Sequence, residues 1–119
     1  MLLFNILPLL NFDKIKINKE KKYLLLGDML ELGKHSKKLH QSIGKIINNT
    51  TIDKIFVKGR KVIFTFNSIS KKKKGRVLNN NSQIIDLIKN DLNNNDYLMV
   101  KASNATGFNE MINNLKGLK

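Results

Sequence analysis

The sequence predicts an α/β protein built on an open, mostly parallel sheet with helices on both faces. Four short aliphatic runs, Tyr23–Leu26, Lys54–Val57, Arg76–Leu78 and Tyr97–Val100, each precede a loop and a segment of helical periodicity. Strand–helix alternation of this kind is the pattern of a parallel sheet with right-handed crossovers. The runs are also continuous in apolar character, as strands covered on both faces are. After the first run, Leu39, Ile43, Ile46 and Ile47 fall on one helix face, with Ser36 as N-cap and Asn48-Asn49 as stop. After the second, Val62, Ile63 and Phe66 form a short helix. After the third, Ser82 caps a helix whose core face is Ile84, Ile85, Ile88 and Leu92. After the fourth, Phe108, Met111, Ile112 and Leu115 repeat at helical spacing.

The 119 residues make one domain with a core, and 41% of them are apolar. Cysteine is absent, so there is no disulfide framework and no thiolate metal site. The opening MLLFNILPLL is too short to span a bilayer, and it lacks the basic start and small-residue cleavage site of a secretory signal. It reads as a packed or truncated element of a cytoplasmic protein. Net charge is +13, from 22 basic and 9 acidic residues, which taken alone points to a polyanionic partner. Yet only Arg60 and Arg76 are arginine, and lysine, asparagine and isoleucine are abundant together. Arginine is the residue of bidentate phosphate and base contacts, so this excess reads as a compositional bias and not as a nucleic-acid face. Aromatic content, 7%, is also low for a protein that stacks single-stranded bases. The run KKKKG, residues 71–75, reads as a solvated loop.

In open α/β sheets ligands sit beyond the carboxyl ends of the strands. Here those ends are Gly27–Lys34, Lys58–Arg60, Asn79–Asn81 and Lys101–Gly107. Gly27-Asp28 closes its strand with an acid off the sheet edge, where a carboxylate can accept hydrogen bonds from ribose hydroxyls. The plainer reading of Asp28 is a helix cap or turn former, and Glu31 reads equally as a solvated loop acid. The Lys101–Gly107 stretch leads into the last helix with hydroxyls, an amide and a lysine where a carboxylate or phosphate is favoured, although a capped helix entry has the same composition. No GxxxxGK[ST] or GxGxxG loop occurs. His35 and His40 belong to no cluster at metal-ligand spacing, and His40, near the core boundary, reads as a hydrogen-bonded structural histidine. Read from its residues alone, the chain is a nucleotide- or anion-facing module without its own phosphate loop.

The string LLLGDMLELGKHSKKLHQSIGK, a strand ending Val57-Lys58-Gly59 and a late VKASNATGFNEMI together resemble the C-terminal domain of the Mur ligases, specifically those that add D-alanyl-D-alanine. The resemblance covers roughly residues 9–117 and gives a domain over 9–119, with 1–8 an uncertain N-terminal segment. It implies a Rossmann-like fold that closes over two further domains, one binding the UDP-sugar peptide and one carrying the ATP phosphate loop and the magnesium sites. The implied reaction joins D-alanyl-D-alanine to UDP-N-acetylmuramoyl-tripeptide, with ATP and Mg2+ held mainly by those other domains, which are the implied partners. On this resemblance Asp28, Glu31, Lys101, Ser103 and Asn104 bind nucleotide or substrate, while Gly27, Gly33 and His40 support the site. The chain by itself is expected to be inactive, with no catalytic residue and no metal ligand. It departs from relatives at Ala102, usually glycine, and at Asn104, often arginine, which reduces backbone freedom and removes a fixed charge. Two other readings stand beside it: a stand-alone anion-binding module without ligase activity, and a basic nucleic-acid-binding domain.

Overall fold

A computed structural model of the chain describes residues 7–29 and 35–102. The elements are α1 (Leu7–Asp13), β1 (Lys22–Gly27), α2 (Ser36–Ile47), β2 (Lys54–Lys58), α3 (Ile63–Ser68), β3 (Lys74–Val77), α4 (Asn81–Asp86) and β4 (Tyr97–Lys101). A 3-10 turn, Lys71–Lys73, leads into β3, and a π-helical turn, Leu87–Asp91, extends α4. All pairings are parallel and the strand order is β3-β2-β1-β4. The α/β class and the parallel sheet are therefore those expected from the sequence. The helix expected over 108–115 lies outside the described residues.

Alternation along β1 builds two cores. Leu24 and Leu26 pack on one face with Leu9 and Phe12 of α1, Ile43 and Ile47 of α2, and Val62 at the start of α3. Leu25 faces the other way, with Phe56, Leu78, Ile84 and Leu87. Both faces are covered, which explains why the strands read as unbroken apolar runs. Pro8 sits in the first turn of α1, where its missing N–H costs nothing. Among the described residues no helix is long and apolar enough to cross a membrane.

Four local readings are corrected. The KKKKG run is not a solvated loop. Lys73 is buried and donates from Nζ to the carbonyls of Thr50 (2.8 Å) and Ile52 (2.6 Å), while Lys74 and Gly75 already belong to β3. An edge strand tolerates such polar side chains. At Gly75 a Cβ would come within 2.7 Å of the Phe56 ring, so glycine here lets the ring lie against the strand. The cap of α4 is Asn80 and not Ser82. Its side chain accepts from Gln83 N–H (3.0 Å), and Gln83 in turn accepts from Asn79 N–H, a reciprocal arrangement like a capping box. Ser36 does not cap α2, because its hydroxyl turns inward to His40. On α4 and its extension the buried positions are Ile84 and, three residues on, Leu87, with Ile85 and Ile88 only half-buried, and a π turn closed by a Leu92 N–H to Leu87 C=O bond (3.2 Å) then ends the helix.

Helices α2 and α3 meet at Gly44, where an added Cβ would lie 2.7 Å from both Ser68 Cβ and the Thr65 carbonyl. Alanine gains roughly 1 kcal/mol of helix propensity over glycine, but forcing the helices apart costs roughly 1–3 kcal/mol. Gly44→Ala is therefore expected to destabilise the chain in urea unfolding, and an increase in midpoint would show that the helices separate freely.

The amino end of the sheet is fastened by a polar cluster. Lys22, buried at the start of β1, donates from Nζ to the Asp13 carbonyl (2.6 Å) and to Thr51 Oγ1 (3.1 Å), and its N–H meets Asp53 (2.8 Å). Asp13 accepts from both the N–H and the hydroxyl of Thr51 at 2.6 Å, and these bonds hold its carboxyl below the ordinary value of 3.8. A depressed folded-state pKa stabilises above the unfolded value and loses that contribution as pH falls through the folded one. The stability difference between wild type and Asp13→Asn should therefore be constant above pH 3.8 and shrink below it. A difference that persists unchanged in stronger acid would assign the loss to packing.

Candidate functional site

With the order β3-β2-β1-β4, the chain passes to one side of β1 through α2 and returns to its other side through α4. The crevice between the carboxyl ends of β1 and β4 is therefore the topological switch point, where ligands bind in such sheets. Register puts Leu26 opposite Lys101 and Gly27 opposite Lys58, so the exits of β4, β1 and β2 stand side by side. The sheet thus brings Gly27, Asp28 and Lys101 together, with Ala102 packed on the second core. Glu31, Gly33, Ser103 and Asn104 lie outside the described residues.

Asp28, read both as an acid off the sheet edge facing a ribose and, more plainly, as a turn former, turns into the loop that follows β2. Oδ1 accepts from the N–H groups of Lys61 (2.9 Å) and Val62 (2.8 Å), and Oδ2 from that of Arg60 (3.2 Å). These are backbone donors of the loop that leads into α3 and ends at its N-cap, Val62. Asp28 thus acts as a turn former for a helix more than thirty residues away. Gly59, φ +142°, takes a conformation that side chains rarely adopt, and an added Cβ would lie 2.7 Å from Asp28 Cγ.

His40 is fully buried and joins three elements. Its Nε2 accepts from Met29 N–H (3.2 Å), so Nδ1 carries the ring proton and donates to the Ser36 carbonyl (2.7 Å). The His40 carbonyl accepts from Thr65 Oγ1 of α3 (2.6 Å). The histidine therefore fixes the exit of β1 against α2, and both ring nitrogens are occupied in doing so. Among the described residues no group of three His, Asp or Glu could hold a metal ion. A broad groove lined by Asn18, Lys19, Glu20 and 93–96 lies at the opposite, amino end of the sheet. Loop asparagines shape it, and it lies at the end where α/β sheets do not bind ligands, so the carboxyl edge is the stronger candidate.

Sequence reasoning placed Lys58–Arg60 at the ligand edge but assigned no site residue to the Gly59–Val62 loop. The glycine directly after an apolar run, followed by Arg60 and Lys61, was its one visible signal.

No protein-family model matches the chain. Over 98 residues it is 31% identical to the UDP-N-acetylmuramoyl-tripeptide–D-alanyl-D-alanine ligase of Bacillus subtilis, a match covering 80% of this chain and 21% of that one. The fold is similar to the crystal structure of the MurF ligase from Thermotoga maritima in complex with ADP, with a TM-score of 0.63 and 24% identity over 79% of this chain and 21% of that one. The chain is a Mur ligase-like domain. It spans about a fifth of the curated relative it matches. In this Mur ligase-like domain the strings GDM and VKA end adjacent parallel strands, which explains how two segments far apart in sequence share one edge.

Proposed function

We propose that this domain is the C-terminal closing domain of an ATP-dependent ligase that adds D-alanyl-D-alanine to UDP-N-acetylmuramoyl-tripeptide, a cytoplasmic step of peptidoglycan-precursor synthesis. The observation that carries the reading is the meeting of the β1 and β4 exits at the switch point, in a chain 31% identical to such a ligase. The domain runs from 9 to 119 and closes over partner domains that hold most of the substrate. ATP, when bound there, activates the acceptor carboxylate for attack by the dipeptide amine.

What the chain supplies is shape and charge at the lip of the cleft. On this reading Lys101, Ser103 and Asn104 bind a carboxylate or phosphate of the ligand, and Glu31 is a further ligand-binding residue. Asp28 and His40 hold the strand exits in place, with Gly27 and Gly33 as supporting residues of the site. The test is a graft: this chain replaces the matching segment of the Bacillus subtilis ligase, and dipeptide addition is measured. Ligation well above that of the segment-deleted enzyme is expected. A folded graft that binds nucleotide but joins no dipeptide would overturn the reading.

A further inference from the structure

The loop leaving β2 is fixed more firmly than a surface turn requires. Gly59 holds a positive φ, and Asp28 ties down three successive N–H groups after it. Its position is set by the exit of β1, which lies beside the exit of β4. On this loop stand Arg60 and Lys61, both exposed, and neither side chain has a partner among the described residues. Composition sharpens the observation, because the chain has only two arginines. The other, Arg76, is occupied by Asp91 (2.9 Å) and the face of Phe56. Where lysine dominates, an unpaired arginine at the ligand-binding edge carries more information than the net charge does. A guanidinium matches two phosphate oxygens at once, and an adjacent ammonium adds a point charge. The Asp28 carboxylate spends both oxygens on the backbone N–H groups of this loop and, among the described residues, makes no ion pair with either side chain.

We propose that the Gly59–Lys61 loop is a diphosphate-binding element, with Arg60 and Lys61 contacting the ligand and Asp28 and Gly59 as positioning residues. This deepens the ligase reading, and rests on it only for the source of the diphosphate, since a nucleoside diphosphate of the ATP site and the UDP of the precursor share that group. The test titrates the full 15N-labelled chain with inorganic pyrophosphate, ADP and UDP at fixed ionic strength. Saturable shifts at the amides of 59–62 are expected with all three probes, and the tighter of ADP and UDP identifies the source. Replacing both Arg60 and Lys61 by alanine should weaken binding about tenfold or more, as loss of a bidentate charge-assisted contact does. The pair Lys71→Ala, Lys72→Ala at the opposite end should leave it unchanged. Asp28→Asn should weaken binding in a chain that keeps its dispersed spectrum. Shifts spread equally over residues 71–74, or full affinity in the Arg60, Lys61 double variant, would overturn the proposal. Because those two side chains are exposed, that variant folds and the outcome does not depend on Asp28. A graft that ligates normally without Arg60 and Lys61 would sink this inference while leaving the ligase reading intact.

Discussion

Asp28→Ala should cost about 2–3 kcal/mol of stability, because it strips acceptors from three backbone N–H groups at once. In a domain of this size that is a fall of roughly 10 °C in Tm. An ordinary helix cap costs about 1 kcal/mol, so the excess measures the long-range tie between the β1 exit and the β2 loop. Asp28→Asn should fall between, since one oxygen still accepts from Lys61 and Val62 while the amide meets Arg60 N–H donor to donor. Thermal unfolding of the three proteins checks the order. If Asp28→Ala melts with the wild type, the carboxylate is not holding the loop, and a role toward ligand alone becomes the better account of it.

His40→Ala should be at least as damaging, about 3 kcal/mol. The substitution leaves a cavity in a fully buried site and orphans the Met29 N–H. The polar and packing parts separate in His40→Leu, which refills most of the space but cannot accept from Met29. If the bond matters, His40→Leu recovers only part of the loss, and exchange of the Met29 amide speeds up in both variants while the amides of β2 stay protected. Full recovery by leucine would reduce His40 to a space filler.

The fold was legible because the physical cause acts locally. Leu24–Leu26 and Ile55–Val57 are apolar on both faces, and only a strand covered twice needs that. That the β1 and β4 exits share one edge was legible too, since all strands of a parallel sheet end there, while their adjacency is seen only in the strand order. What escaped depends on distant partners. Asp28 looks the same in sequence whether it caps nearby backbone or a turn some thirty residues on, and the structure chooses the second. Lys73 is indistinguishable from its three neighbours as a string, but its ammonium meets the carbonyls of Thr50 and Ile52, and its pKa is lowered by burial. The π turn escaped because one extra residue in a helical turn leaves the apolar letters in place and moves only their phase.

The claim at the centre is that the domain works through the carboxyl edge of its sheet and not through the groove at the amino end. Two substitutions in the grafted ligase separate these directly. Lys101→Met keeps the apolar stem of a half-buried β4 residue and removes its charge, while Asn94→Ala alters the amino-end groove. Dipeptide ligation should fall at least about tenfold in Lys101→Met, the order of one lost charge-assisted contact and more than any fall in Tm explains, and should stay at the parent rate in Asn94→Ala. Loss of ligation in Asn94→Ala with full activity in Lys101→Met would place the working surface at the other end of the sheet and contradict the claim.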